Sequence, residues 1–582
     1  MSTAATLTRA RVEPDRVGEP RWRSWLAWVV TGAPVVLLAQ RAWDWRWMSD
    51  DGFIHLRVVR QLVSGNGPVF NAGERVEAST SPLWVYLLAI GDLVTPIRLE
   101  WLAVVGGMAL TLAGVVLAVL GARMLTGFRS PGELVLPVGL AAMVAWPPMW
   151  SWATSGLEGG LVLGWLGTCL YLLARWGRDR ERVPTATAVL LGLGPLIRPD
   201  LALYSALFLV VVVAADARRG AWRAQLRAGG RVVALAAALP LAYQVFRMGY
   251  YGSLVPNPAV AKEAERTWWE NGRAYLGRAV DPYWLWVPGL VLAVGAYVPL
   301  IGGLVAPQRR RHLLVTAAFA LGGALHVVYI VRVGGDFMEA RLLLPGFFAF
   351  AAPVAVVPLR LRYAAAALVL PWAAVCGTSM RAYADLHNNN RDQVTVSDFA
   401  WGPGQASRAW YVGEGLYYSQ TRLPASPADG RETVLGAYGL GLPSYALGPD
   451  FYVLDLLGLA DPFTAHLELE ERAIIPGHEK PQPVVWVAAR YADPSTPISE
   501  KDFPELTTNY GIVLLDRDPQ GSFGERLSVA RATLRCAPLR ELEASYTGSL
   551  TVGRFLENLV EAPSNTTFRI PSEPAEARDA LC

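Results

Sequence analysis

Long apolar runs separated by short polar connections fill the first two thirds of this chain. The runs fall at 25–43, 101–121, 134–150, 157–174, 185–197, 201–215, 232–248, 285–304, 313–331, 342–358 and 363–378. A helix needs about 20 apolar residues to cross a bilayer, so these are eleven candidate spans. Pro82 to Thr95 is also apolar, but at about 14 residues it fits an interfacial or re-entrant helix better than a crossing. The arginines decide its status. Arg9 to Arg23, then Arg123 and Arg129, Arg175 to Arg182, Arg218 to Arg231, Arg309 to Arg311, and Arg360 and Arg362 occupy alternate connections. The positive-inside rule places all of them in the cytoplasm only if 82–95 does not cross. The expectation is a polytopic α-helical membrane protein of the plasma membrane. Its N-terminus is cytoplasmic and everything after about residue 379 lies outside the cytoplasm.

Beyond residue 380 the pattern changes to short apolar stretches (Thr433–Leu440, Tyr452–Leu459, Val484–Ala489, Ile512–Leu515) among Gly, Pro and polar residues. They predict an extracytoplasmic α/β soluble domain over 380–582, large enough for its own core. Ser564 to Ala580 is polar and Pro-containing, which predicts a partly flexible tail. Residues 1–379 then form the transmembrane domain, with an external loop at 44–100 carrying the juxtamembrane helix 82–95.

This topology brings five polar clusters to one membrane face: Asp50/Asp51, Ser155 to Glu158, Arg198-Pro199-Asp200, Tyr250 to Asp281, and Gly334 to Arg341. Charged groups at membrane depth are costly and usually mark a site or a water-filled vestibule. Asp50 and Asp51 stand at the mouth of the first span, with His55 and Arg57 about a turn further on. Pro195 and Pro199 bracket Arg198 between two short spans, so it would meet an anion near the interface.

Composition agrees with a membrane protein: 53% of the 582 residues are hydrophobic and only 17% charged. A net charge of +3 offers no footprint for nucleic acid. Cys169 and Cys376 fall in or at the end of apolar runs and read as small apolar side chains. Cys536 and Cys582 permit a disulfide outside the cytoplasm without demanding one. No cleavable signal peptide is evident, since the polar, Arg-bearing start leads into a run long enough to span.

The chemistry these groups suit is transfer from a lipid phosphate. A phosphodiester leaves readily without a general acid, so the minimum apparatus is one carboxylate base and cations to receive the phosphate. Asp50 and Asp51 are the catalytic candidates; Arg198, Lys262 and Arg341 are the phosphate-binding candidates. His55, Arg57, Glu158, Asp200, Asn257 and Asp336 complete the expected cavity. The blander readings are that one Asp caps the helix starting near Gly52, and that the cations snorkel or pair with Asp200, Glu263 or Asp336. A divalent cation at Asp336, Glu339 and His55 has no tight ligand spacing behind it, so no metal ligands are assigned. No Gly-Lys-Ser/Thr loop supports nucleotide chemistry. Trp401, Trp410, Tyr411, Tyr417 and Tyr418 could stack on sugars but suit a core as well.

Several stretches carry a family resemblance. They are Asp50-Asp51-Gly52-Phe53-Ile54, Glu77-Ala78-Ser79-Thr80-Ser81-Pro82-Leu83-Trp84, Arg198-Pro199-Asp200, Gly252 to Lys262, Gly334-Gly335-Asp336-Phe337-Met338 and Asp455 to Pro462. In this order they resemble the GT-C superfamily of membrane glycosyltransferases and, within it, the terminal arabinofuranosyltransferases of mycobacteria and their relatives. The resemblance implies decaprenyl-phospho-arabinofuranose as donor and the non-reducing ends of cell-wall arabinan as acceptor, in arabinogalactan and lipoarabinomannan. The implied product is a terminal β(1→2) linkage, with one Asp as base and the other as its positioner or as a stabiliser of the transition state. A β-linked donor giving a β-linked product is net retention, which also admits a carboxylate nucleophile. The alternatives are a GT-C transferase for another polyprenyl-phosphate sugar such as mannose, a lipid-linked glycan transporter, and a non-enzymatic surface-assembly protein. A transporter would show paired discontinuous helices related by a repeat, which the sequence lacks.

Overall fold

The computed structural model describes residues 21–379, 433–436, 440–469, 480, 482–492 and 521–582, apart from 131, 180–181, 216–221, 264–265, 307–308 and 339. The described residues are predominantly helical. Among them, six helices are long and apolar enough to cross a membrane: Trp22–Asp44, Leu99–Thr126, Arg227–Tyr251, Trp286–Leu304, Arg310–Arg332 and Leu361–Thr378. Each coincides with one of the eleven apolar runs.

The other five runs are met by shorter or bent pieces. Pro147–Thr154 and Gly159–Asp179 qualify only together and are bent by 116°. Run 185–197 is divided into Thr185–Gly192 and Gly194–Ile197. Pro199–Ala215 and Arg341–Val354 are short apolar helices. Proline accounts for the pattern: Pro147, Pro195, Pro199 and Pro345 each stand in the first turn of a piece, where a missing N–H costs least. Broken backbone at membrane depth is tolerated where it is packed in protein or lines a cavity. Glu158, Arg198, Asp200 and Arg341 all sit at or beside these breaks. Pro82–Val94 is a separate helix of 13 residues with Leu93 and Val94 largely exposed.

The bundle is pinned by close helix packing. A Cβ on Gly160 would lie 2.1 Å from the Gly107 carbonyl oxygen, and one on Gly167 would lie 2.1 Å from that of Gly114. Helices Leu99–Thr126 and Gly159–Asp179 therefore touch backbone to backbone, the way small residues drive association where lipid removes the hydrophobic drive.

Past residue 379, Thr433–Gly436 and Tyr452–Asp455 pair as parallel strands, and helices surround them. A core of Tyr452, Leu454, Phe463, Trp486, Leu527 and Ile570 belongs to this part alone. A second cluster joins Leu440, Leu447 and Val453 to Ile54, Phe70 and Ala78 of the external loop. The C-terminal part thus shares a core with the loop at 44–100. Ser564 to Ala580 is not a loose tail. Helix Val552–Thr567 runs through its start, Ile570 bridges to Leu467, and helix Pro574–Leu581 ends it. Cys536 and Cys582 are disulfide-bonded, and Cys169 and Cys376 are free and buried. The aromatic group from Trp401 to Tyr418 and the run Ile512–Leu515 lie outside the described residues.

Candidate active site

The site begins at the end of the first long helix. Trp47 donates its indole N–H to the Ser151 carbonyl at 2.7 Å, and the Ser49 amide donates to the Ser155 carbonyl at 2.9 Å. These bonds fix the entry to helix Asp50–Val63. Its N-cap is Ser49, whose hydroxyl accepts from the Gly52 amide at 3.1 Å. Neither Asp50 nor Asp51 is therefore the cap. They are the first two helical residues, and adjacent helical positions point in different directions.

Asp51 points into a cavity of about 260 Å³. His55, Glu158, Arg198, Asp200, Lys262, Asp336 and Arg341 line the same cavity, together with Thr80, Trp268 and Tyr329. Eight of the eleven site residues expected from sequence thus converge, counting Asp51 itself. Their charges alternate. Arg341 reaches Asp51 at 3.4 Å on one side and bonds Asp336 on the other. Arg198 clasps Asp200 with two bonds of 3.0 and 3.1 Å and stands 3.7 Å from Glu158. Glu158 lies 3.5 Å from His55 Nε2, and His55 Nδ1 is 2.7 Å from the Ser79 hydroxyl. His326 Nε2 meets Asp200 Oδ2, one of the two oxygens that Arg198 bonds, at 2.7 Å. Lys262 is half-buried on the wall.

Exposure separates the carboxylates. The Asp51 side chain is 31% exposed, against 10% for Glu158, 9% for Asp200 and 3% for Asp336. Asp51 is the one most open to an incoming molecule. The backbone keeps the wall clear at Gly334-Gly335, where φ is +99° and +72° and a Cβ on Gly335 would strike the Tyr275 ring.

Three expected residues are not on this wall. Asp50 turns the opposite way and accepts from the amides of Gly441 and Leu442 at 2.9 and 2.8 Å. Burial pushes its carboxyl up to about 6; the Leu442 and Gly441 amides pull it down, and the Asp51 charge adds to the rise. Arg57 is no cavity residue. It is 1% exposed and donates to the carbonyls of Phe70, Ser444, Gly448 and Phe451 and to the Asn71 side chain. Its charge serves as a tie between the loop and residues 444–451. Asn257 is spent on the carbonyls of Gly458 and Asp461, at 2.7 and 3.3 Å. Both side chains were drawn toward backbone acceptors that only the folded C-terminal part supplies.

The sequence reading passed over Ser79, Trp268, His326 and Tyr329. His326 had a visible signal, a lone histidine inside the apolar run 313–331. Among the described residues no group of three or more His, Cys, Asp or Glu could hold a metal ion; Glu339 lies outside them.

Three comparisons bear on this arrangement. No family model matches the chain. A terminal beta-(1->2)-arabinofuranosyltransferase of Mycobacterium tuberculosis is 32% identical over 627 aligned positions, covering 94% of this chain and 96% of that protein. An enzyme of the same name from Corynebacterium glutamicum is 40% identical over 342 positions, covering 54% of this chain and 48% of the other. Among solved structures, ArnT from Cupriavidus metallidurans bound to undecaprenyl phosphate aligns with a TM-score of 0.38 at 16% identity, over 56% of this chain and 59% of its own. Its apo form gives 0.35 at 15% identity over the same shares.

Proposed function

Because this chain belongs to the family of terminal β-(1→2)-arabinofuranosyltransferases, we propose that it transfers arabinofuranose from a polyprenyl-phosphate donor, decaprenyl-phospho-arabinofuranose, to the non-reducing ends of cell-wall arabinan. The observation that carries the assignment of roles is the divergence of the acidic pair. Asp51 faces the cavity beside Arg341, while both oxygens of Asp50 accept backbone amides.

In this reading Asp51 is the reacting carboxylate. The acceptor 2-hydroxyl oxygen bonds to the anomeric carbon as the bond from that carbon to the phosphate oxygen breaks. The proton goes to Asp51, and the electron pair leaves with the polyprenyl phosphate. Arg341, Arg198 and Lys262 receive the growing phosphate charge. Each Arg is already held by a carboxylate, Asp336 and Asp200 in turn, so the cations meet the phosphate pre-oriented. Asp50 positions the start of its helix and so the direction of Asp51. If the product keeps the donor's anomeric configuration, the same carboxylate acts first as nucleophile, bonding the anomeric carbon as its bond to the phosphate oxygen breaks; the acceptor hydroxyl then displaces Asp51 and gives its proton to the departed polyprenyl phosphate.

The alternating arginines support placing this cavity and the C-terminal part, 380–582, outside the cytoplasm, where arabinan is built. The test is transfer from synthetic polyprenyl-phospho-arabinofuranose to a short arabinan by the purified protein, beside Asp51→Asn, with the linkage read by NMR. Transfer that is lost in the variant is the expected result. Transfer from a mannose donor and not from arabinofuranose would overturn the substrate, and undiminished transfer by Asp51→Asn would overturn the role.

A further inference from the structure

Among the described residues beyond 379, the exposed large hydrophobic side chains are Leu550, Val552, Leu556 and Val560, all within one short stretch. Val552, Leu556 and Val560 are 79%, 54% and 77% exposed and recur four apart along helix Val552–Thr567, so they form one stripe. The rest of the helix is sorted as cleanly. Its protein-facing side carries Phe555, against which a Cβ on Gly249 would collide, and Asn558, which donates to the Gly249 and Ser545 carbonyls. Asn565 donates to the Gly252 carbonyl, and Thr566 accepts from the Leu254 amide. Arg554, Glu557 and Glu561 occupy the third side, with Arg554 paired to Glu541 and Glu557.

What lies against the stripe follows from where the helix is docked. Gly249 is in the last turn of the membrane-crossing helix Arg227–Tyr251. That helix leaves Leu241 and Val245 exposed, and their spacing by four before Gly249 puts them on its side of the helix, a face that lipid covers. The half-buried Tyr250 stands at its end, a residue type that collects at the membrane–water boundary. The stripe therefore continues, at the boundary, an apolar surface already turned to lipid. We propose that helix Val552–Thr567 lies in the bilayer surface on its Val552–Leu556–Val560 stripe, and that the occupant of this surface is lipid. Three-sided sorting of this kind is what an in-plane amphipathic helix shows. This inference does not rest on the assigned chemistry, only on the chain crossing a membrane.

The test uses the full-length protein in vesicles. Cys169 and Cys376 are buried and Cys536 and Cys582 are bonded to each other, so a thiol-reactive fluorophore reports a new exposed cysteine. Labels are placed by Leu556→Cys and Val560→Cys, with Glu557→Cys as the control on the polar side, and melting curves confirm folding. With phosphatidylcholine and phosphatidylglycerol vesicles carrying a nitroxide near the lipid headgroup, labels at 556 and 560 should be quenched severalfold more than the label at 557. Equal quenching at the three positions overturns the proposal. So does a label at 556 that stays shielded in detergent and insensitive to nitroxide lipid, the result if another segment of this chain covers the stripe. Quenching that disappears when the protein is diluted in the vesicles would assign the stripe to a second copy and overturn it too.

Discussion

At the scale of single residues, the two members of the acidic pair point apart, Asp51 to the cavity and Asp50 to the amides of Gly441 and Leu442. Asp51→Asn keeps shape and helix while removing the proposed base, so kcat should fall by about 10²- to 10⁴-fold with little change in melting temperature. Asp50→Asn leaves one carbonyl oxygen where two oxygens accept the amides of Gly441 and Leu442. It should cost on the order of 1–2 kcal/mol in stability as well as activity, because one amide is left unmet. Parallel melting and transfer assays distinguish the two patterns. Glu74 offers a pH test. It accepts from the Tyr452 hydroxyl at 2.9 Å, and burial, then the Asp461 charge, lift it to about 7. With its folded value above the unfolded one, the native state binds the extra proton between about pH 4.5 and 7, so its contribution to stability declines as pH rises through that window. Glu74→Gln cannot titrate and should melt progressively later than wild type as pH goes from 5 to 7. A difference between the two that stays constant with pH would refute the assignment. The pair itself was visible in the sequence as two carboxylates beside a span. Which one faces the cavity was not legible, because the amides that turn Asp50 away come from positions 391 and 392 residues later.

Among the elements, the breaks matter most. Six of the apolar runs are whole helices, and Glu158, Arg198, Asp200 and Arg341 sit at or beside the breaks in the other five. The runs were readable from hydropathy, and the prolines that divide them were in view. Hydropathy counts apolar residues without saying whether the backbone through them is continuous, so the bend of 116° at Ser155 to Glu158 had no signal of its own. The small-residue seam was open to reading: Gly107, Gly114 and Gly121 recur every seventh position, as do Gly160 and Gly167. Gly167→Leu should push the two helices apart and lower the yield of folded protein in detergent, measured by size-exclusion profile. Gly441→Ala is the corresponding test of the helix Gly441–Leu447, since its Cβ would meet the Asp50 carbonyl oxygen at 1.7 Å. Transfer activity should drop at least tenfold while the transmembrane helices still insert.

Over the whole molecule, the change of pattern near residue 380 was visible in the sequence, but the core that residues 440–453 share with the loop at 44–100 was not. Arg57 shows why. Read along the chain it is a charge near a site; in the fold it gathers acceptors from Phe70 to Phe451. The bond between Cys536 and Cys582 closes the last helices onto one another across 46 residues. Its reduction should destabilise that part by about 2–4 kcal/mol, seen as an earlier thermal transition with reductant. The joint between Asp50 and Gly441 also imposes an order in time. The helix bearing Asp51 leaves the ribosome hundreds of residues before the two amides that seat its neighbour, and no arrangement of the membrane helices alone can replace them. A chain ended before residue 440 is expected to insert and to remain without transfer activity until residues 440–582 are supplied. The enzyme would then be silent while its membrane helices are being made and begin work only when this later-made segment has docked.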